Sequence, residues 1–407
     1  MSGSKIPTVD RPSQSGAESA ERQAGHEGPL VSVVLPCLNE EEAIGSCIDT
    51  IQQTFESAGI DGEIVVCDNG STDNSVTIAA HFGARVVRQP IPGYGNAYKM
   101  GFAHARGRYL FMGDADDTYD FTLIPRFLNL LMNQGYAFVT GSRYMNGGDQ
   151  NISPLHRFLG NPVLTIVLNA LFGTAYTDVY CGFRGFTREA YDRIEPLSPG
   201  MEFNLELAIN AGLARLRTVE VPIELRPRRG QSKLRTFRDG WRSLRMMLLY
   251  APNKLFLWPG AIFFGAGFLT HVALFFGFVE WDGRPAAGVT GVFATIVSVV
   301  GFQTLSLGLH AKTYSWSRRF DKHRTALERF YELVTLERGL VLGAGLVSAG
   351  VAILVFLVDQ WLKADMQPLP HPEWASFAAT LVIIGNSTVF SSLSISAISM
   401  DKRDGGL

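Results

Sequence analysis

"LFMGDADDTYDF" (Leu110–Phe121) sets four aspartates, Asp114, Asp116, Asp117 and Asp120, at the end of an apolar run. A strand that stops in such a cluster has three explanations: a metal site, a covalent nucleophile or a solvated turn. The residues before it decide the fold. "LVSVVLP" (Leu30–Pro36) is a buried-strand run, and Asn39 is placed to cap a helix whose first turn is Glu40, Glu41 and Glu42. Ile44, Cys47, Ile48, Ile51 and Phe55 then share one helical face. "EIVVCD" (Glu63–Asp68) repeats the strand, followed by the turn "NGSTDNS" and a helix through His81. "ARVVR", a helix from about Tyr94, and "RYLFMGD" (Arg108–Asp114) continue the alternation, which predicts a mostly parallel α/β sheet. Ligands bind such sheets beyond the carboxyl ends of their strands, so Asp68 and Asp114 are expected to meet at one crevice.

Local patterns compete with that reading. "GYGNAYKMG" (Gly93–Gly101) looks like a dinucleotide fingerprint, but its third glycine falls too late and it is not the turn of a first βα unit. An EF-hand at Asp114 fails, because position six is Tyr119 and position twelve is Pro125. "DADDT" (Asp114–Thr118) also matches the DxDxT motif of haloacid-dehalogenase-like phosphatases, with Asp114 phosphorylated and Asp116 as acid/base. That motif ends the first strand of its domain, whereas here at least three strand–helix units precede it; the phosphatase stands as the runner-up reading of these acids.

The chain has 407 residues, enough for two or more units, and a formal net charge of −2 that argues against a nucleic-acid partner. Its four cysteines, Cys37, Cys47, Cys67 and Cys181, form no CxxC pair and read as reduced thiols. Residues 1–28 are polar, carry no apolar signal segment and read as a disordered tail. Leu255–Val279, Gly288–Leu309, Gly339–Val358 and Trp374–Met400 are uncharged, each long enough for the roughly 20 residues of a spanning helix. Between the second and third lie Lys312, Arg318, Arg319, Lys322, Arg324, Arg329 and Arg338, while the other two loops hold only Arg284 and Lys363. The positive-inside rule makes the basic loop cytoplasmic, together with the N-terminal half and Lys402–Arg403. Ahead of the first span, Leu234, Phe237, Trp241, Leu244 and Leu248 form an apolar helix face flanked by Lys233, Arg235, Arg238, Arg242 and Arg245. That pattern suits an interfacial helix on anionic headgroups.

From Leu30 to Asn253 the chain resembles a family-2 glycosyltransferase of GT-A (Rossmann-like) fold, of the dolichyl-phosphate mannose synthase and polyprenyl-phosphate glucosyltransferase type. The resemblance rests on "LPCLNEEE" (35–42), "VVCDNGSTD" (65–73), "GDAD" (113–116), "GSRY" (141–144), "DVYCGFRGF" (178–186) and "RRGQSKLR" (228–235), in that order. It implies a catalytic domain at 29–225, an acceptor loop and interfacial helix at 226–254, a four-helix transmembrane domain at 255–400 and a cytoplasmic tail at 401–407. By the same resemblance Pro36, Leu38, Glu40 and Asp68 line a nucleoside pocket. Asn69 stands where many relatives carry a second aspartate.

The resemblance also implies Mg2+ or Mn2+ on Asp114 and Asp116, with Thr118 as a further polar contact. A hard cation there neutralises the leaving diphosphate, and carboxylates are its matching ligands. Asp117 and Asp120 read as turn or helix-capping residues. A lipid monophosphate acceptor is already anionic, so it needs cationic positioning rather than a base. Arg143, Arg157, Arg184, Arg229, Ser232 and Lys233 are the candidates, with Asp114, Asp116, Arg143 and Arg229 expected to carry catalysis. The implied reaction is inverting transfer of one hexose, from UDP-glucose first and GDP-mannose next, to a polyprenyl or dolichyl phosphate. A processive polysaccharide synthase normally carries QxxRW, which is absent here; Trp241–Arg242 lacks the glutamine. A further alternative, from a different class, is a lipid-sugar carrier with a regulatory nucleotide-binding domain; its spans are only four, and their polar residues His271, Gln303 and Asn386 are scattered and serve acceptor binding or helix packing equally well. The implied partners are therefore a nucleotide sugar, a polyprenyl phosphate and the bilayer, and a helical bundle adds an expectation of self-association. The expected location is the inner or plasma membrane in a bacterium, or the endoplasmic reticulum in a eukaryote.

Overall fold

The computed structural model describes residues 28–145, 160–227, 236–278, 280–281, 284–285, 287–317, 335–367 and 371–403. The expected tail at 1–28 therefore lies almost wholly outside the described residues. The chain divides into an N-terminal unit ending at Ser243 and a C-terminal unit beginning at Leu244.

The N-terminal unit is built on seven strands: β1 (Val31–Cys37), β2 (Gly62–Asp68), β3 (Arg85–Arg88), β4 (Tyr109–Met112), β5 (Phe138–Ser142), β6 (Arg184–Thr187) and β7 (Thr218–Pro222). Their order is β3-β2-β1-β4-β6-β5-β7. β1 pairs parallel with β2 and β4, so the strand order reverses at β1 and opens a crevice between the carboxyl ends of β1 and β4. β6 runs antiparallel to both neighbours, β4 and β5. Among the described residues, seven helices accompany the sheet: α1 (Ile44–Ala58), α2 (Ser75–His81), α3 (Tyr94–His104), α4 (Ile124–Asn133), α5 (Asn161–Phe172), α6 (Arg188–Ile194) and α7 (Phe203–Leu213).

Alternation within the strands feeds two cores. Val31, Val33 and Leu35 join Phe111 against Ile44, Cys47, Ile48, Ile51 and Phe55 of α1. Val34, Leu110 and Met112 face Tyr98 and Phe102 of α3 and Phe203 and Leu207 of α7. Both faces are covered, which is why these strands read as continuous apolar runs. All four cysteines are free and buried. Burial pushes the Cys37 thiol up to about 11 and those of Cys47, Cys67 and Cys181 up to about 12, so thiol labelling reports opening of this unit.

One expected element differs. Asn39 caps no helix; it sits at φ 53°, and helix α1 starts only at Ile44. The polar run is spent on the facing turn instead. Asn39 Oδ1 accepts from the Thr72 amide at 2.7 Å, the Glu40 amide donates to Ser75 Oγ at 2.8 Å, and Glu41 Oε2 accepts from the Asn74 amide at 3.0 Å.

Glu63 joins three segments: its carboxylate accepts from Ser32 Oγ at 2.7 Å, Arg85 Nη2 at 2.8 Å and the Arg106 amide at 2.6 Å. Burial acts to raise its pKa, but these hydrogen bonds outweigh it and hold the carboxyl at about 2. A depressed folded pKa stabilises above the unfolded value and is lost as pH falls, here between about 4.5 and about 2. Glu63→Gln is expected to cost about 2 kcal/mol at neutral pH and to flatten that acid-side slope. Thiol labelling with 4,4′-dithiodipyridine, which reacts in acid, measures both; an unchanged slope rejects the assignment.

In the C-terminal unit, α8 (Thr236–Tyr250) enters from the N-terminal unit, and α9 (Trp258–Phe275), α10 (Ala287–Ser317), α11 (Leu336–Lys363) and α12 (Pro372–Arg403) follow. Among the described residues, four helical stretches are long and apolar enough to cross a membrane: Asn253–Phe275, Gly288–Ser315, Leu336–Lys363 and Pro372–Ile398. Glycines let them meet closely. A Cβ on Gly301 would lie 2.1 Å from the Phe264 amide, and one on Gly385 would lie 2.7 Å from the Gly343 carbonyl. Two of the polar residues tie helices together: His271 Nε2 lies 3.0 Å from Thr380 Oγ1, and Gln303 Nε2 donates to Ser387 Oγ at 2.8 Å.

Candidate active site

Parallel pairing brings the ends of β1 and β2 level, Cys37 opposite Asp68. Asp114, two residues past the end of β4, leaves the sheet from the same carboxyl edge. β5 is antiparallel to β6, which is antiparallel to β4, so Ser142 and the following Arg143 leave there too. The edge thus gathers Pro36, Leu38, Glu40, Asp68, Asp114, Asp116, Thr118 and Arg143. Asp68 is buried, with Oδ1 accepting from the Ser71 amide at 2.8 Å.

Asp114 is held from helix α3. Tyr94 and Tyr98, one turn apart, both donate to its Oδ1, at 2.9 and 3.3 Å. Burial raises the pKa of both phenols well above the usual value, and the nearby Asp114 charge adds to it, so they remain protonated donors. Gly182 packs against the same group: a Cβ there would lie 3.3 Å from Asp114 Oδ2. Asp116 is buried, and its Oδ1 accepts from the Thr118 amide at 3.2 Å and the Thr118 hydroxyl at 2.6 Å. Thr118 therefore orients a carboxylate. Asp120 caps the 3-10 turn Phe121–Leu123 and pairs with Arg226 at 2.8 Å, while Asp117 occupies a left-handed turn at φ 64°. Among the described residues no three His, Cys, Asp or Glu side chains converge as a complete metal cage. Two carboxylates alone fit Mg2+, which is usually bound by one or two carboxylates plus substrate phosphates.

Arg143 is locked to Asp178 through Nε at 2.5 Å and Nη2 at 2.8 Å, and Asn161 Nδ2 donates to the same carboxylate at 2.7 Å. Asp178 is fully buried, which by itself raises its pKa; the Arg143 charge and these hydrogen bonds overcome that and hold it below the usual range.

The chain has relatives. The family model for Glycosyl transferase family 2 matches residues 32–195, and that for the family 2 C-terminal transmembrane region matches 309–399. The low-salt glycan biosynthesis hexosyltransferase Agl6 of Haloferax volcanii is 36% identical over 381 residues, covering 91% of this chain and 89% of its own. The chain belongs to glycosyltransferase family 2. It is an integral membrane enzyme with a GT-A-like catalytic sheet. A dolichyl-phosphate hexose transferase of the same organism is 34% identical over 210 residues, 52% of this chain and 89% of its own. The solved structure of Mycobacterium tuberculosis glucosyl-3-phosphoglycerate synthase with Mn2+, UDP and glucosyl-3-phosphoglycerate aligns with 59% of this chain and 85% of that one, at 25% identity and a TM-score of 0.45.

Not every expected residue of the glycosyltransferase lies open at this edge. Arg184 is turned inward: at 1% exposure its guanidinium donates to the carbonyls of Cys181, Asn204 and Val179 at 2.8, 2.6 and 2.7 Å. It fastens the 178–184 loop to the start of α7. Arg157, Arg229, Ser232 and Lys233 lie outside the described residues, as does most of the basic loop. Sequence reasoning passed over Asp178 within a quoted motif, and it passed over Tyr94 and Tyr98 inside the glycine-rich decoy. Their i, i+4 spacing is the signal that was available. The glycines there serve close packing, since a Cβ on Gly95 would lie 2.2 Å from the Ser198 carbonyl. Arg226 was missed as well; its amide donates to the Thr118 carbonyl at 2.9 Å, anchoring the segment that leads to Arg229.

Asn69 uses what an aspartate lacks. Its Nδ2 donates to the carbonyls of Gln89 and Ile91 at 3.2 and 3.1 Å, and its Oδ1 accepts from the Gly93 amide at 2.7 Å. Asn69→Asp is expected to cost about 1–3 kcal/mol, because two carbonyls then face a carboxylate. Faster proteolysis within residues 89–93 checks this; a cleavage rate equal to the parent's rejects it.

Proposed function

We propose that this glycosyltransferase moves a single hexose, with inversion, from a nucleotide-diphosphate sugar to a polyprenyl phosphate at the cytoplasmic face of the membrane. One observation carries the reading: a tyrosine-oriented Asp114 and a threonine-oriented Asp116 stand at the switch point of a sheet whose chain continues into four apolar helices. Its similarity to a dolichyl-phosphate hexose transferase supports a lipid-phosphate acceptor. The expected basic loop between the second and third spans supports the orientation.

Asp114 and Asp116 would hold Mg2+ or Mn2+, which when bound supplies charge neutralisation for the leaving diphosphate. The chain's own residues do the rest. Pro36, Leu38, Glu40 and Asp68 bind the nucleoside; Tyr94, Tyr98 and Thr118 hold the carboxylates in place. Arg143, braced by Asp178, orients phosphate oxygens together with Arg157, Arg229, Ser232 and Lys233. The acceptor attacks as an anion, so no side chain needs to take its proton. UDP-glucose is the favoured donor and GDP-mannose the next. Purified protein with Mg2+ or Mn2+ is expected to yield a polyprenyl-linked monosaccharide. A polymeric product, or no lipid-sugar from any common nucleotide sugar, overturns the reading.

A further inference from the structure

Asn204, the second residue of α7, is 4% exposed, and its Oδ1 has no hydrogen-bond partner among the described residues. Its other polar atoms are committed. The carbonyl accepts from Arg184, and Nδ2 donates to Tyr94 Oη at 3.3 Å. Tyr94 spends its single proton on Asp114, so it accepts from Asn204, and this fixes which end of the amide faces the tyrosine. A buried amide oxygen left unmet costs about 1–3 kcal/mol. Here that cost is borne one residue away from the carboxylate assigned to the donor diphosphate.

The geometry points to Asn204 Oδ1 as the acceptor for one hydroxyl of the transferred hexose, making Asn204 a donor-sugar specificity residue. This rests on the hexose-transfer reading. The sugar is bonded directly to the diphosphate, and Asn204 is joined through one tyrosine to Asp114, the carboxylate proposed to hold that diphosphate's cation. An amide oxygen accepts from a hydroxyl without adding charge beside the aspartates. Arg184 sets the height of the amide by holding its backbone, giving that buried cation a positioning part.

The test compares kcat/KM for the parent nucleotide sugar and its monodeoxy analogues, using the full chain in detergent with the polyprenyl acceptor. The wild type is expected to disfavour one monodeoxy donor by about 10- to 100-fold. Asn204→Ala should bring that one ratio to within about threefold while leaving the other positions unchanged. Asn204→Asp, which keeps an acceptor oxygen and loses the donor to Tyr94, should retain the discrimination. Protection of the four thiols certifies each fold, and Asn204→Leu replaces the alanine variant if its thiols open. Equal losses on every donor, or discrimination intact without the amide, overturn the assignment while hexose transfer stands. A wild type that transfers no hexose sinks both.

Discussion

Asp116→Ala is expected to lower kcat/KM for hexose transfer by about a thousandfold or more, with the buried thiols as protected as in the parent. Thr118 spends its amide and its hydroxyl on Asp116 Oδ1, an outlay of two hydrogen bonds on one carboxylate. Asp114, Asp116 and Asp117 crowd three acids into four positions, so removing one relieves repulsion rather than opening the core. Loss of rate with stability kept is the signature of a group retained for function. Thr118→Val, which removes the orienting hydroxyl but no charge, should cost about tenfold. Near-normal turnover by Asp116→Ala would remove Asp116 from the donor site.

How far the sequence reaches is visible residue by residue. The α1 face was legible because Ile44, Cys47, Ile48, Ile51 and Phe55 repeat at helical spacing and all five are buried as that spacing demands. The apolar strands and four spans were legible for the same reason, since burial writes itself into local composition. The antiparallel β6 was not: "FRGF" carries no mark of which neighbour it pairs with or in which direction. Asn39 misled because a capping residue and a left-handed turn residue look alike until the partner, Thr72, is known. Arg184 misled more instructively. A charge in a family-like motif suggests a ligand, but its three backbone partners lie between three and twenty residues away along the chain. An inward-facing arginine is a property of the loop's path, which no local pattern encodes.

The same limit applies to Arg143, where sequence gives a cation and the structure gives an ion pair. With Nε and Nη2 on Asp178, the guanidinium brings much less net charge to the edge than an isolated arginine. Asp178 in turn draws hydrogen bonds from Asn161 and from the Tyr180 amide, so the pair belongs to a network spanning β5, α5 and the 178–184 loop.

Breaking the pair should be the largest structural lesion in the catalytic unit. Asp178→Asn keeps the shape but leaves the Arg143 side chain, only 15% exposed, without its counter-charge; the expected cost is about 3–5 kcal/mol. Arg143→Met strands the Asp178 carboxylate in a fully buried site, with a cost of the same size. The double variant, Arg143→Met with Asp178→Asn, removes both charges and should recover most of the thiol protection that either single change loses. Turnover then separates two roles that stability alone cannot. If Arg143 orients phosphate oxygens, the double variant is folded but remains about a hundredfold slow or worse, since the guanidinium is missing. If the double variant transfers hexose at the parent rate, Arg143 is a brace for the loop and the phosphate contact must be sought elsewhere on the edge. Because the folded-state pKa of Asp178 is depressed, the pair persists above the unfolded carboxylate pKa and weakens only below it. The single-variant penalties should therefore be full at neutral pH and shrink in acid, as the parent loses the same interaction.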